Sequence, residues 1–156
     1  MAIGFPLYID LTGNNCTVFG GNQAASRCVR ELLLFQAQIT VISPDICEEL
    51  KALSEQGKIR HIPRKYFRGD CSNAQLCVAA TDDPALNIAI ATECKAKSVP
   101  VNVTNPKEYG NFQFPYSIVQ GDVVVSVAGN LSADTLSTLH NKLSNLLPTL
   151  TDSTET

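Results

Sequence analysis

Cys16-Thr17-Val18-Phe19-Gly20-Gly21-Asn22-Gln23-Ala24-Ala25 is the stretch from which the rest of the chain is read. The β-branched and aromatic run at 16–19 predicts a buried strand, ended in a turn by Gly20-Gly21. From Gln23 to Gln36, Ala24, Ala25, Cys28, Leu32 and Phe35 recur at helical spacing, widened by Val29 and Leu33. An amphipathic helix therefore starts directly after the glycines. A strand, a glycine turn and a helix in this order suit a dinucleotide diphosphate. The turn must be tight, the backbone must come close to the phosphates, and the helix N-terminus offers free N–H groups and a positive dipole end. Gly20 fits the first position of the glycine pattern and Ala25 the third, while Asn22 takes the middle one, where glycine is usual. Asparagine tolerates positive φ better than most residues but adds a side chain where phosphate must approach. The same residues also suit a tight turn that binds nothing.

Working outward, Gln38-Ile39-Thr40-Val41-Ile42 predicts a second strand ended by Ser43-Pro44-Asp45. Asp45 stands a little beyond the usual spacing of a ribose-binding carboxylate, and serves equally as the cap of a helix carrying Cys47, Leu50 and Leu53 that Gly57 closes. Residues 58–62 alternate as a third strand, residues 66–73 form a polar connector of no assigned state, and the apolar run 76–80 predicts a strand covered on both faces. Thr81-Asp82-Asp83-Pro84 opens a helix to about Lys97; Thr81 and Asp82 either face the cofactor crevice or cap that helix. Val99-Pro100-Val101-Asn102-Val103 is a fifth strand, either at an edge or paired only beyond the proline. Strands alternating with helices predict an α/β fold, a Rossmann-like parallel sheet with helices on both faces. After Pro106 the pattern changes to an antiparallel hairpin around Gln120-Gly121 and a helix from Ser132 to Leu147 that Pro148 stops. The expected division is a dinucleotide-binding domain at 1–108, a hairpin-plus-helix region at 109–148 and a frayed tail at 149–156.

The 156 residues are 44% hydrophobic and 17% charged, with a net charge of −3, which leaves no basic footprint for nucleic acid. No apolar run reaches the roughly 20 residues needed to cross a bilayer. Met1-Ala2-Ile3-Gly4-Phe5-Pro6 shows no export signal, so a cytoplasmic protein is expected. The six cysteines are irregularly spaced within apolar runs and read as reduced core thiols. His61 and His140 lie far apart, and no metal site is expected.

The chain resembles the siroheme-synthase dehydrogenase family, whose members oxidise precorrin-2 to sirohydrochlorin with NAD and in some cases also insert iron. The resemblance runs from Phe5 to about Leu147. It rests on Phe5–Leu11, similar to the family's opening strand, on the glycine turn, and on Ile39–Asp45. It continues through Ala79-Ala80-Thr81-Asp82-Asp83-Pro84 with Asn87, Val101-Asn102-Val103, Phe114-Pro115 and Ser126–Ser132. By that resemblance Gly20, Gly21, Asn22, Gln23, Ala24, Pro44, Asp45, Thr81 and Asp82 contact NAD. It also implies that Asn102, Phe114, Pro115 and Ser132 border a tetrapyrrole crevice and that hairpin and helix form a homodimer. The family's proposed catalytic aspartate aligns with Asn105, whose amide cannot accept a proton at neutral pH. Asp82, Asp83 or water would take the proton instead. The implied function is precorrin-2 dehydrogenation without iron insertion. The alternative is a catalytically weakened module that binds a dinucleotide or tetrapyrrole.

Overall fold

A computed structural model describes residues 4–152. Residues Ile9–Gln113 form one compact unit; Phe114–Thr156 together with Met1–Tyr8 form the other. The first unit holds β1 (Asn15–Phe19), α1 (Gln23–Leu34), β2 (Gln38–Ile42), α2 (Glu48–Glu55), β3 (Arg60–Ile62), β4 (Leu76–Ala79), α3 (Pro84–Ala96) and β5 (Val101–Val103). The five strands form one parallel sheet in the order β3-β2-β1-β4-β5. Strands are added outward in opposite directions on the two sides of the β1/β4 pair, so right-handed crossovers put α1 and α2 on one face and α3 on the other. A crevice between strand ends opens at this switch point.

The central strands are apolar because both faces are covered. Val18, Phe19, Val41, Val78 and Val101 are all fully buried, and each such side chain contributes about 1.5–3 kcal/mol on burial. All six cysteines are free thiols and five are buried. Burial pushes the thiols of Cys16 and Cys28 up to about 11, so both stay protonated and pack as small apolar groups.

β5 is an edge strand that also begins only after Pro100, so both readings of that proline hold. Its free side is covered by Asn111, whose N–H donates to the Val101 carbonyl (2.9 Å) while its Oδ1 accepts from the Val101 N–H (2.7 Å). An asparagine here imitates one rung of a missing strand and blocks edge pairing. These bonds lie within the first unit, which ends at Gln113.

Other expectations change. Residues 4–11 form no strand, and Phe5, Leu7 and Tyr8 are exposed. β3 starts at Arg60 rather than Lys58 and pairs with β2 only over Thr40 to Ile42. Asp45 does not cap α2: Cys47 is the N-cap, without a side-chain bond, since the Cys47 N–H is already drawn to the Gly21 carbonyl at 2.7 Å.

The second unit contains β6 (Tyr116–Gln120), β7 (Val123–Val127) and α4 (Ala133–Asp152). β6 begins after Pro115, which has no N–H to give a ladder. The turn is Gly121-Asp122, one residue later than expected, with Gly121 at positive φ. Ser132 accepts from the Thr135 N–H and starts α4. Pro148 does not stop the helix, which continues to Asp152. A proline's own φ is helical, so it removes one backbone bond without forbidding the next turn. Of the expected frayed tail, 149–152 is therefore helical and 153–156 lies outside the described residues.

Candidate functional site

The crevice at the β1/β4 switch point is a cavity of about 640 Å³, bounded by Gly20 to Asn22, Ser43 to Cys47, Lys65, Tyr66 and Thr81 to Asp83. Two glycines shape its floor. Gly20 sits at φ +119°, and a Cβ there would lie 2.2 Å from the Ala80 carbonyl oxygen; one on Gly21 would lie 1.9 Å from that of Asp45. Any side chain at either position would push the turn away from its neighbours. The loops after β2 and β4 can close onto the turn only because both residues are glycine.

Asn22 is extended (φ −84°, ψ −176°), so the third position of this turn needs no left-handed backbone and any residue can take it. Here the side chain matters more. Oδ1 accepts from the Ala25 N–H at 2.9 Å, capping α1, and Nδ2 donates to the Asp82 carboxylate at 2.8 Å. The amide thus bridges the helix opening to the loop after β4. The N–H groups of Gln23 and Ala24, in the first turn, have no acceptor within the helix. The backbone cradle fits a diphosphate, with one of its donors engaged by Asn22.

Thr81 is held from below by Asn87, a fully buried residue of α3. Its Oδ1 accepts from the Thr81 N–H (3.0 Å) and hydroxyl (2.7 Å), while Nδ2 donates to the carbonyls of Thr81 (3.0 Å) and Asn105 (2.9 Å). All four hydrogen-bonding capacities of this amide are used. Asp83, not Thr81 or Asp82, caps α3, accepting from the N–H groups of Ala85 and Leu86.

The polar connector after β3 forms the far wall. Arg64 makes a bidentate pair with Asp70 (2.8 and 2.9 Å), and Asp70 also accepts from the Phe67 N–H at 2.7 Å. Tyr66 packs edge-on against Phe19, with ring centroids 5.3 Å apart, and its hydroxyl donates to Glu93, which also accepts from the Gly69 N–H. The Arg64 guanidinium holds the Asp70 carboxyl below its ordinary range. A carboxyl depressed in the folded state adds stability above its unfolded value and loses it in acid. The connector should therefore keep its hold above about pH 4 and loosen below it. Asp70→Asn should cost about 1 kcal/mol after screening around half-exposed Arg64, read as faster hydrogen exchange at the Phe67 and Gly69 amides.

A family model described as "Putative NAD(P)-binding" matches residues 7–116. Siroheme synthases of Chromobacterium violaceum and Thioalkalivibrio sulfidiphilus are 32% and 34% identical over 145 residues, 92% of this chain. A solved structure of SirC, precorrin-2 dehydrogenase, superposes with a TM-score of 0.71 at 25% identity over 91% of this chain and 70% of that one. The chain belongs to the siroheme-synthase NAD(P)-binding family. It spans only 31% and 30% of the length of the two siroheme synthases.

The residues that the NAD(P)-binding model matches include the whole of the cradle. The structure gathers most of the residues expected to contact the cofactor around one cavity: Gly20, Gly21, Asn22, Pro44, Asp45, Thr81 and Asp82 line it. Gln23 and Ala24 open α1 beside it. Of the two expected catalytic residues, Asp82 lines the cavity, while Asn105 is exposed beyond β5 and does not. Among the expected substrate contacts, Asn102 donates to the Phe112 carbonyl at 3.0 Å and so acts as a tie within the first unit. Phe114, Pro115 and Ser132 belong to the second unit. Sequence reading missed Lys65 and Tyr66, and the role of Asn87. A fully apolar helix face interrupted by one asparagine, next to a cap motif, was the available signal for Asn87.

Proposed function

We propose that the chain is an NAD-dependent precorrin-2 dehydrogenase that forms sirohydrochlorin and does not insert iron. The observation that carries this reading is the glycine-floored cavity at the switch point, with the free amides of α1 on one side and Asp82 on the other. A bound nicotinamide dinucleotide supplies the hydride acceptor. Gln23 and Ala24 hold its diphosphate, Asp45 takes ribose hydroxyls, and Thr81 and Asp82 face the reacting half. Hydride transfer depends mainly on holding the donor carbon in place, so positioning supplies much of the rate. Asp82, oriented by the Asn22 amide, takes the proton that an amide at Asn105 cannot accept. Without an acidic group at Asn105, the stripping of protons from the macrocycle that iron insertion requires lacks its base.

We assign residues 9–113 to cofactor binding. The hairpin and α4, with Val119, Val123, Leu139 and Leu146 exposed, join two copies as a homodimer. Free thiols throughout suit the cytoplasm. Incubation with precorrin-2 and NAD+, followed by absorbance of the oxidised macrocycle, tests the assignment; nucleotide binding without turnover overturns it. That outcome would favour the second reading, a binding module, which the Asn22 side chain in the cradle supports.

Asn22→Gly separates the side chain's effects. Glycine is a nearly equivalent cap, and the freed Ala25 N–H gains a charged acceptor, so dinucleotide binding should tighten about fivefold. Asp82 loses its partner, so turnover should fall in the same variant. Calorimetric titration and single-turnover rates check the two effects independently.

A further inference from the structure

Lys65 is the only cation among the residues lining the cleft, whose other charged residues are Asp45, Asp82 and Asp83. Arg30, Lys51, Arg64 and Lys97 each have a carboxylate partner, whereas the Lys65 ammonium has none among the described residues. It is not on a loose loop. Its neighbours are fastened on both sides, Arg64 by Asp70 and Tyr66 by Glu93 and Phe19. The Ile62 carbonyl accepts from both Ser43 (3.3 Å) and Arg64 (2.9 Å), so the segment leading to Lys65 and the end of β2 share one anchor. The end of β2 is where the adenosine ribose lies in sheets of this order.

We propose that Lys65 forms a phosphate subsite beside the adenosine ribose, so that this cleft accepts NADP+ as well as NAD+. The proposal rests on the dinucleotide reading above and names its cofactor range. Sequence proximity points to NAD alone, since no arginine closely follows β2. The fold supplies the missing cation from the end of β3 instead. A 2′-phosphate beside the Asp45 carboxylate is repelled unless a cation lines the same end of the cleft. A pre-positioned, unpaired ammonium offsets that repulsion without ordering a loop. Asp45 at the same end retains the ribose hydroxyls of NAD+.

The test is calorimetric titration of the full chain with NAD+ and with NADP+, repeated on Lys65→Ala. Lys65 is exposed, so the variant keeps its fold, which its thermal midpoint verifies. Wild-type affinities for the two should lie within about tenfold, and Lys65→Ala should weaken NADP+ about tenfold while changing NAD+ less than about twofold. The NADP+ loss should shrink at high salt. An NADP+ affinity more than about a hundredfold below that for NAD+ overturns the proposal. Equal weakening of both also overturns it, because Lys65 would then hold the diphosphate they share. If neither nucleotide binds the wild type, the dinucleotide reading itself falls.

Discussion

Gly20→Ala is expected to lose dinucleotide binding entirely and about 3–5 kcal/mol of stability. The added methyl group would meet the Ala80 carbonyl oxygen at 2.2 Å, its carbon at 2.5 Å and the Thr81 nitrogen at 2.9 Å, all backbone atoms that cannot swing aside. Relief requires parting β1 from β4 where the Ala80 N–H donates to the Phe19 carbonyl at 2.8 Å, in the centre of the sheet. The residue must also hold φ +119°, which alanine rarely adopts. Against a total of about 5–15 kcal/mol, such a loss leaves little reserve. Gly21→Ala provides the contrast. Its clash, at 1.9 Å from the Asp45 carbonyl oxygen, is with a loop rather than a strand. That loop can retreat, so Gly21→Ala should abolish binding at a smaller cost in stability. Urea midpoints for the two variants, beside calorimetric titration, decide the matter. Equal midpoints for Gly20→Ala and the wild type would mean that the turn is not clamped between β2 and β4.

Asn87→Ala should cost about 3–5 kcal/mol, because the four bonds of a fully buried amide vanish, a cavity opens under the loop, and the Thr81 and Asn105 carbonyls lose their donor. Asn87→Asp is more informative because it preserves shape. One oxygen still accepts from Thr81, but the other now confronts the two carbonyls that Nδ2 served. Burial and those carbonyls favour the protonated acid, raising its folded pKa above the unfolded value of about 3.9. A raised acid contributes stability below the unfolded pKa and loses it as pH climbs towards the folded one. Asn87→Asp should therefore be near wild type at about pH 4 and increasingly destabilised towards about pH 7. Urea midpoints measured at both values give the answer; a pH-independent difference would show that the amide's donors are dispensable.

Much of the first unit is legible from residue order. β1, β2, β4 and α3 fall within a residue or two of their expected spans, because buried parallel strands are continuous apolar runs and α3 carries its own cap and proline. Ends that depend on a partner were less readable. β3 pairs with only three of the five residues of β2, and Cys47 rather than Asp45 opens α2 because the Gly21 carbonyl draws it there. At the site, the glycines, Thr81 and Asp82 announce themselves through short motifs. Lys65 and Tyr66 do not, since nothing in a polar stretch of 66–73 shows that Asp70 and Glu93 will pin it against β1.

Hydrophobic spacing and turn residues act over a few neighbours, so by themselves they determined the alternation of strand and helix, the parallel sheet and the location of the phosphate-type turn. Strand order brought residues 20, 45, 65 and 82 around one cavity, and it decided two further things. One is that Asn22 spans the switch point to a carboxylate sixty residues away. The other is that Lys65, with no carboxylate partner among the described residues, lines that cavity. Both are juxtapositions across crossovers, set by packing of the whole sheet, which no local pattern of residues encodes.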